Sequence, residues 1–230
     1  MMCYRFLRTE HALDLMQTKR WKVGRLLELN DPADCQPNLV GAPEQPDEAA
    51  WNNFHQNYLA SIYEDIGVLC FSTSISDPVV WSHYADAHRG IALGFDFQPD
   101  LGGVSPYQVT YQESRATLDF AEAERMRPEG RTTEAFIEKV VTNGFTKKAL
   151  SWAYEKEYRI FTHLGGAECQ MIGSHYFQRC GAPNEVVLGL RCPIRTADIL
   201  RMVGRDGVTA QNVRRARSDR NNYSLVIGPA

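Results

Sequence analysis

The stretch "WAYEKEYRIF", Trp152 to Phe161, decides how the second half of this chain is read. Glu155 and Glu157 stand one residue apart around Lys156, aromatics flank them, and Arg159 follows. On a strand, positions i and i+2 point to the same side, so both carboxylates are expected to face one place, with Arg159 beside them. Paired glutamates are more often a solvated strand edge than an acid site, because charged side chains mostly stay in water. The rest of the chain has to say which of the two this pair is.

Upstream, "IGVLCFSTS" (66–74) reads as a buried strand that ends in hydroxyls, with Cys70 as a packing residue. "SDPVVWSHYADAH" (76–88) then opens a helix, with Asp77 at the cap, Pro78 in the first turn and Gly90 closing it. "MCYRF" (2–6) is a short strand, followed by a helix for which Thr9 is the candidate cap. Gln36 to Glu48, with three prolines, reads as a surface loop, and Trp51, Phe54, Tyr58 and Ile62 recur at helical spacing after it. "IALGFDF" (91–97) and "YQVTYQ" (107–112) read as strands, and Ala116 to Leu150 as helix broken near "RPEGRTT" (127–133). "EVVLGL" (185–190) is another strand and "TADILRMV" (196–203) a short helix. "NVRRARSDRNNYSLVI" (212–227) reads as two strands around a polar turn. With no strand–helix rhythm, the order predicts an α+β fold, a central antiparallel-rich sheet with helical insertions in a single domain over residues 1–230.

Composition bounds the function. The chain has 230 residues, 43% hydrophobic and 23% charged, with a formal net charge of -3, so global charge points to neither nucleic acid nor membrane. No apolar run approaches a membrane span, and charges interrupt the N-terminal stretch before a signal-peptide core forms, so a cytoplasmic protein is expected. Six cysteines without an export signal read as reduced thiols. Cys169, His175, Cys180 and Cys192 have no paired C-x-x-C spacing, and His83 and His88 are five apart, a poor fit to one helical face, so no metal site is expected. His83 and Tyr84 are candidates to stack on or hydrogen-bond a ligand above the Ser72-Thr73-Ser74 strand end, although a histidine bonded to backbone is the commoner case. Arg201, Arg205, Arg214, Arg215, Arg217 and Arg220 make the C-terminal part basic. Such a run is usually a solvated face, and it is also a candidate nucleic-acid contact.

Arg5 on the first strand, Ser72-Thr73-Ser74 at a strand end and Glu155-Lys156-Glu157 occur in the chain order of the arginine, Ser-Thr-Ser and Glu-x-Glu motifs that the mono-ADP-ribosyltransferases carry. The chain resembles that family in motif and order. The resemblance implies an ADP-ribosyltransferase-like sheet and NAD as substrate. It implies Glu157 as the catalytic glutamate, Glu155 as the residue that prepares an acceptor, Arg5 as the NAD-binding arginine, and Ser72, Thr73 and Ser74 as residues that shape the site. The acceptor would be a protein, DNA or RNA, and a toxin or phage-defence role is the family analogy. Physically the trio is sensible. Breaking the nicotinamide–ribose bond builds positive charge on the sugar, which a carboxylate stabilises, and an arginine fork suits a pyrophosphate. The gap from Ser74 to Glu155 is longer than the family spacing and implies an insertion. Arg8 competes with Arg5, but the two are an odd number apart and face opposite sides of a strand.

"LNDPAD" (29–34), "VLCFS" (68–72), "WSHYADAHRGIALGFD" (81–96) and "WAYEKEYRI" (152–160) also resemble, in order, a bacterial family known as domain of unknown function 2971. That resemblance implies no chemistry, but it singles out Asn30, Asp31, Trp81, His83, Tyr84, His88, Glu155, Glu157 and Arg159. Two other function classes stand beside the transferase: a non-enzymatic module binding protein or nucleic acid, and a nuclease-like hydrolase built on His83 and His88.

Overall fold

The computed structural model describes residues 1–98, 106–203 and 208–230. In chain order the strands and helices are β1 (Met2–Leu7), α1 (Thr9–Thr18), β2 (Arg20–Arg25), β3 (Asn38–Val40), α2 (Glu48–Tyr63), β4 (Ile66–Ser72), α3 (Pro78–Tyr84) and β5 (Ile91–Asp96). There follow β6 (Tyr107–Gln108), β7 (Thr110–Gln112), β8 (Thr117–Asp119), α4 (Phe120–Arg125), α5 (Glu134–Val140), β9 (Lys147–Ala149) and β10 (Glu157–His163). The chain closes with β11 (Cys169–Ile172), β12 (His175–Arg179), β13 (Glu185–Leu188), α6 (Thr196–Val203), β14 (Val213–Ser218) and β15 (Leu225–Pro229).

The main sheet is large and mixed, in the order β11-β12-β2-β4-β1-β5-β13-β14-β15, with β10 along β4 and β6 beyond it. Its pairings are antiparallel except for β13 with β14. β4 is its hub, because "IGVLCFS" is apolar on both faces and is covered on both. β10 occupies one edge of β4 from Glu157↔Ser72 to His163↔Ile66. The other edge is shared. β1 meets it at Tyr4↔Ser72, while β2 meets it at Gly24↔Val68 and Arg25↔Gly67. β1 and β2 therefore diverge from β4 as a fork.

One face of the sheet, with Cys3, Leu69, Phe71, Leu93 and Ile160, packs under α1 and α6 through Leu15, Met16, Ile199 and Val203. The opposite face carries two separate apolar layers. Val68 joins Leu59, Ile62, Phe136 and Val140 of α2 and α5, and Ala92, Val187 and Ala216 join Trp81 of α3. The fork lies between these layers.

Asp77 caps α3 as its sequence predicts, accepting from the Val79 and Val80 amides at 2.8 and 3.4 Å, with Pro78 in the first turn. Trp81 is fully buried, and its indole N–H donates to the Ile75 carbonyl at 2.7 Å. α3 ends at Tyr84, and Asp86, Ala87 and His88 follow with φ of 47°, 48° and 69°. Gly90 closes this turn because a Cβ there would lie 2.1 Å from the Leu7 carbonyl oxygen.

Several local expectations give way to tertiary contacts. Thr9 does not cap α1: its hydroxyl donates to the Arg89 carbonyl across the fold. Asn38–Val40, inside the presumed loop, pairs in parallel with Thr117–Asp119, inside the presumed helix. Lys147–Ala149, at the end of that presumed helix, forms β9 and pairs in parallel with β7. The segment Val141–Phe145 before it is a π-helical turn. Cys70 packs against the core layer under α2 and α5 as expected, but it is only half-buried and also lines a cleft.

Candidate functional site

The opening stretch is not one strand. Leu150–Glu155 is a 3-10 turn, Lys156 is left-handed (φ 45°), and β10 begins at Glu157. The two glutamates still converge, but through this corner and not through strand alternation. Both are buried, 3% and 4% exposed, so the solvated-edge alternative is overturned.

The Ser-Thr-Ser end of β4 holds the corner in place. Ser74 Oγ donates to the Tyr154 carbonyl at 2.7 Å, Ser72 Oγ to the Glu155 carbonyl, and the Thr73 amide and hydroxyl to the Lys156 carbonyl at 3.3 and 3.4 Å. The tripeptide is thus a clamp on three successive carbonyls. The Glu157 amide is anchored from the other side by the Tyr111 hydroxyl at 2.8 Å.

Around the corner runs a buried ionic network. Arg159, with no exposure, grips Glu157 in a fork, Nε to Oε1 at 2.8 Å and Nη2 to Oε2 at 2.9 Å. Its Nη groups also donate to both carboxylate oxygens of Asp34, at 3.0 and 2.5 Å, and to the Phe145 carbonyl at 2.8 Å. Lys148 on β9 lies 2.6 Å from Glu155, 2.9 Å from Glu157 and 3.5 Å from Asp34. The Tyr84 hydroxyl donates to Glu155 at 2.5 Å and accepts from Asn30 at 3.0 Å, and the Trp152 indole donates to Asp31 at 2.8 Å. "LNDPAD" is therefore a bracing loop, each of its three polar side chains holding one part of the corner.

The charges respond to this setting. Burial pushes the Glu157 carboxyl up, but Arg159 and then Lys148 outweigh it and bring its pKa to about 2. Burial raises the Glu155 carboxyl above its ordinary value, only partly offset by Lys148 and Tyr84. Burial also raises the Tyr84 hydroxyl, and its bond to Glu155 adds to that. Two carboxylates two residues apart are thus shifted in opposite directions, Glu157 down and Glu155 up.

A cleft of about 320 Å³ opens at the fork between β1 and β2. Arg5, Ser72, Tyr84, Lys148, Glu155 and Glu157 all line it. Apolar wall is supplied by Phe6, Leu7, Val68 and Val80. The Arg5 guanidinium donates to the Lys22 carbonyl at 2.6 Å and lies over the Phe71 ring at 5.9 Å. Its Nη1 is buried with no hydrogen-bond partner among the described residues, an uncommon state for a guanidinium. Arg8 is exposed at the N-cap of α1 and is not among the cleft-lining residues, whereas Arg5 is. Arg5 shares the strand face of Cys3 and reaches over Phe71, on the side that packs under α1 and α6.

Other candidates fall elsewhere. Thr73 and Ser74 are not among the cleft-lining residues; they line a shallow surface depression with Tyr154, Lys156 and Tyr223. His83 also stands outside the cleft, exposed, with Nδ1 3.1 Å from the Tyr154 hydroxyl. His88 stacks on Trp81 and its Nε2 lies 3.1 Å from the Ser82 hydroxyl, so the two histidines share no site. All six cysteines are free, and among the described residues no cluster of three His, Cys, Asp or Glu side chains is arranged for a metal ion. Arg214 donates to Glu185 and to the Ile227 carbonyl, Arg215 to the carbonyls of Gly189, Cys192 and Ile194, and Arg217 to that of Pro229. Arg201 pairs with Asp198, and Arg205 lies outside the described residues. Much of the basic run is spent on the fold itself.

Sequence reasoning missed Asp34 and Lys148. Asp34 had a signal, since it ends "LNDPAD". Lys148 had none, because nothing local distinguishes it from Lys147.

Residues 80–160 are similar to a family described as a protein of unknown function (DUF2971). That stretch runs from α3 into β10 and includes Tyr84, Lys148, Glu155, Glu157 and Arg159, but not Arg5 or Ser72. Neither the curated proteins nor the solved structures contain a match to the chain. Among the described residues no helix is long and apolar enough to cross a membrane.

Proposed function

We propose that this protein is an ADP-ribosyltransferase-like enzyme that cleaves NAD at the nicotinamide–ribose bond and transfers ADP-ribose to a macromolecular acceptor. One observation carries the reading: Arg5, Ser72 and the Glu155–Glu157 pair, recruited from neighbouring strands β1, β4 and the start of β10, line one cleft. In the reaction the ribose C–N bond breaks, its electron pair leaves with nicotinamide, and an acceptor nucleophile forms the new bond to the same carbon. Glu157, held ionised by Arg159, supplies negative charge for the oxocarbenium-like sugar. Glu155, paired with the Tyr84 hydroxyl, is placed to take the acceptor's proton. Arg5 lines the cleft and carries a buried Nη1 with no hydrogen-bond partner among the described residues, which suits it to a pyrophosphate.

A purely structural role for the glutamates has its own supporting observation: both oxygens of Glu157 already accept from Arg159. Turnover separates the two. Purified protein incubated with NAD and protein, DNA or RNA acceptors is expected to release free nicotinamide. Glu157→Gln should slow release by raising the barrier about 2.7–4 kcal/mol, the scale for one preorganised electrostatic partner. Glu155→Gln should lose transfer and keep slow NAD hydrolysis. A wild-type protein that neither binds NAD nor releases nicotinamide sinks the proposal, as does a Glu157→Gln protein with wild-type turnover.

A further inference from the structure

Lys148 is the least expected member of the cleft. It is 6% exposed and sits in a three-residue strand between the π-helical turn and the 3-10 turn. Its ammonium is within 4 Å of three carboxylates, Asp34, Glu155 and Glu157, and lies 5.0 Å from the centre of the Trp152 ring. The other cation of the network is committed elsewhere. Arg159 is locked by Asp34, Glu157 and the Phe145 carbonyl, and it makes no bond to Glu155.

Glu155 therefore depends on one positive charge. Its remaining side-chain partner, Tyr84, is a neutral donor. Asp34, Glu155 and Glu157 carry three negative charges against the two positive charges of Lys148 and Arg159. Without the lysine the same buried volume would hold two uncompensated charges, and a proton would be taken up to relieve them. Glu157 is shielded from that fate by the arginine fork, so Glu155 is the site that would accept the proton.

We infer that Lys148 is the positioning residue of this cleft: by bridging Glu155 to Glu157 it keeps Glu155 ionised at neutral pH and holds it at the cleft wall. A base must be ionised to accept a proton, so under the transferase reading, on which this consequence alone rests, Lys148 sets whether Glu155 can activate an acceptor. The charged and titratable groups facing Glu155 are Glu157 and Arg159 of β10, Asp34 of the bracing loop, Tyr84 of α3, Tyr111 of β7 and Tyr154 of its own turn. Among the described residues, Lys148 is the group that brings a positive charge into contact with Glu155.

The test is carbon-13 NMR of the glutamate side-chain carboxyls, with the Glu155 signal assigned by its loss in Glu155→Gln. In the wild-type protein the Glu155 carboxyl is expected to be ionised at neutral pH. In Lys148→Met it is expected to be protonated there, with its titration midpoint moved up, while Lys148→Arg, which keeps the charge, leaves it ionised. An unchanged Glu155 titration in Lys148→Met overturns the inference. Should Lys148→Met fail to fold, the Lys148→Met/Glu155→Gln double variant removes one charge of each sign. A folded double variant supports the pairing, and an unfolded one reduces Lys148 to a packing element and overturns it. With NAD and acceptor, Lys148→Met should lower kcat about a hundredfold at neutral pH, with the loss recovered as pH rises and KM for NAD little changed. The NMR readout needs no turnover. If it comes out as expected while wild-type protein releases no nicotinamide, the charge coupling stands and the transferase reading falls.

Discussion

Ser72 of β4 and Glu157 of β10 stand directly opposite each other, and the Ser72 hydroxyl reaches past its partner to the Glu155 carbonyl. One small side chain thus sets the strand register and the height of the corner above it. Ser72→Ala leaves a buried carbonyl without this donor and should cost about 1–3 kcal/mol. Ser74→Ala, which frees the half-buried Tyr154 carbonyl, should cost less. Urea denaturation midpoints check both, and equal midpoints for wild type and Ser72→Ala would show that the clamp contributes nothing.

Arg159 is the keystone of the buried charges. Arg159→Met strands Asp34 and Glu157 in the interior, and removing one partner of a buried ion pair typically costs about 3–5 kcal/mol. Arg159→Lys should recover only part of this, because an ammonium cannot make the two parallel bonds of the fork. Thermal or chemical unfolding reads the series, with wild type most stable, lysine intermediate and methionine least stable.

Acid should dismantle the same network in a defined window. Glu157 has an ordinary value of 4.5 and falls to about 2 in the fold. A depressed carboxyl contributes stability that is fully present above its unfolded value and is lost as pH falls through the folded one. The Glu157 contribution should therefore disappear between about 4.5 and 2. Glu155 is shifted the other way, so its ionisation opposes stability as pH rises. Unfolding measured against pH in wild type and Glu157→Gln checks the sign: the glutamine variant should show a shallower loss in the acid range.

Arg5 and Arg8 provide a paired test of the cleft. Arg5→Ala removes a grip present before and during reaction, so it should raise KM for NAD with a smaller effect on kcat. Arg8→Ala, at an exposed helix cap, should leave both unchanged within about twofold and stability within about 0.5 kcal/mol. The NAD dependence of nicotinamide release distinguishes them. Equal KM values for the two variants would remove Arg5 from the site.

What the sequence determined by itself was local. Asp77-Pro78 specifies the start of α3 because a carboxylate and a fixed φ satisfy the first turn without outside help. The apolar run "IGVLCFSTS" specifies a buried strand, and "NVRRARSDRNNYSLVI" specifies two strands around a polar turn, which the structure makes β14 and β15. Arg5, Ser72, Tyr84, Glu155 and Glu157 could be singled out by residue type and order, but the choice between Arg5 and Arg8 stayed open, since the odd-spacing argument needs both on one strand and β1 ends at Leu7.

Tertiary structure decided everything that depends on partners far away in the chain. Thr9 was drawn off the helix cap by the Arg89 carbonyl, and residues 38–40 and 117–119 became strands because each supplied the other's hydrogen bonds. The corner from the 3-10 turn Leu150–Glu155 through Lys156 is held because the Ser72–Ser74 end of β4 offers three hydroxyls to the carbonyls of Tyr154, Glu155 and Lys156, a fact no window around the glutamates contains. Asp34 and Lys148 reach the cleft from a loop and a three-residue strand that the sequence did not tie to the glutamate pair. Charge makes the difference: a buried carboxylate needs a counter-charge, and only the assembled fold shows which of 25 lysines and arginines supplies it.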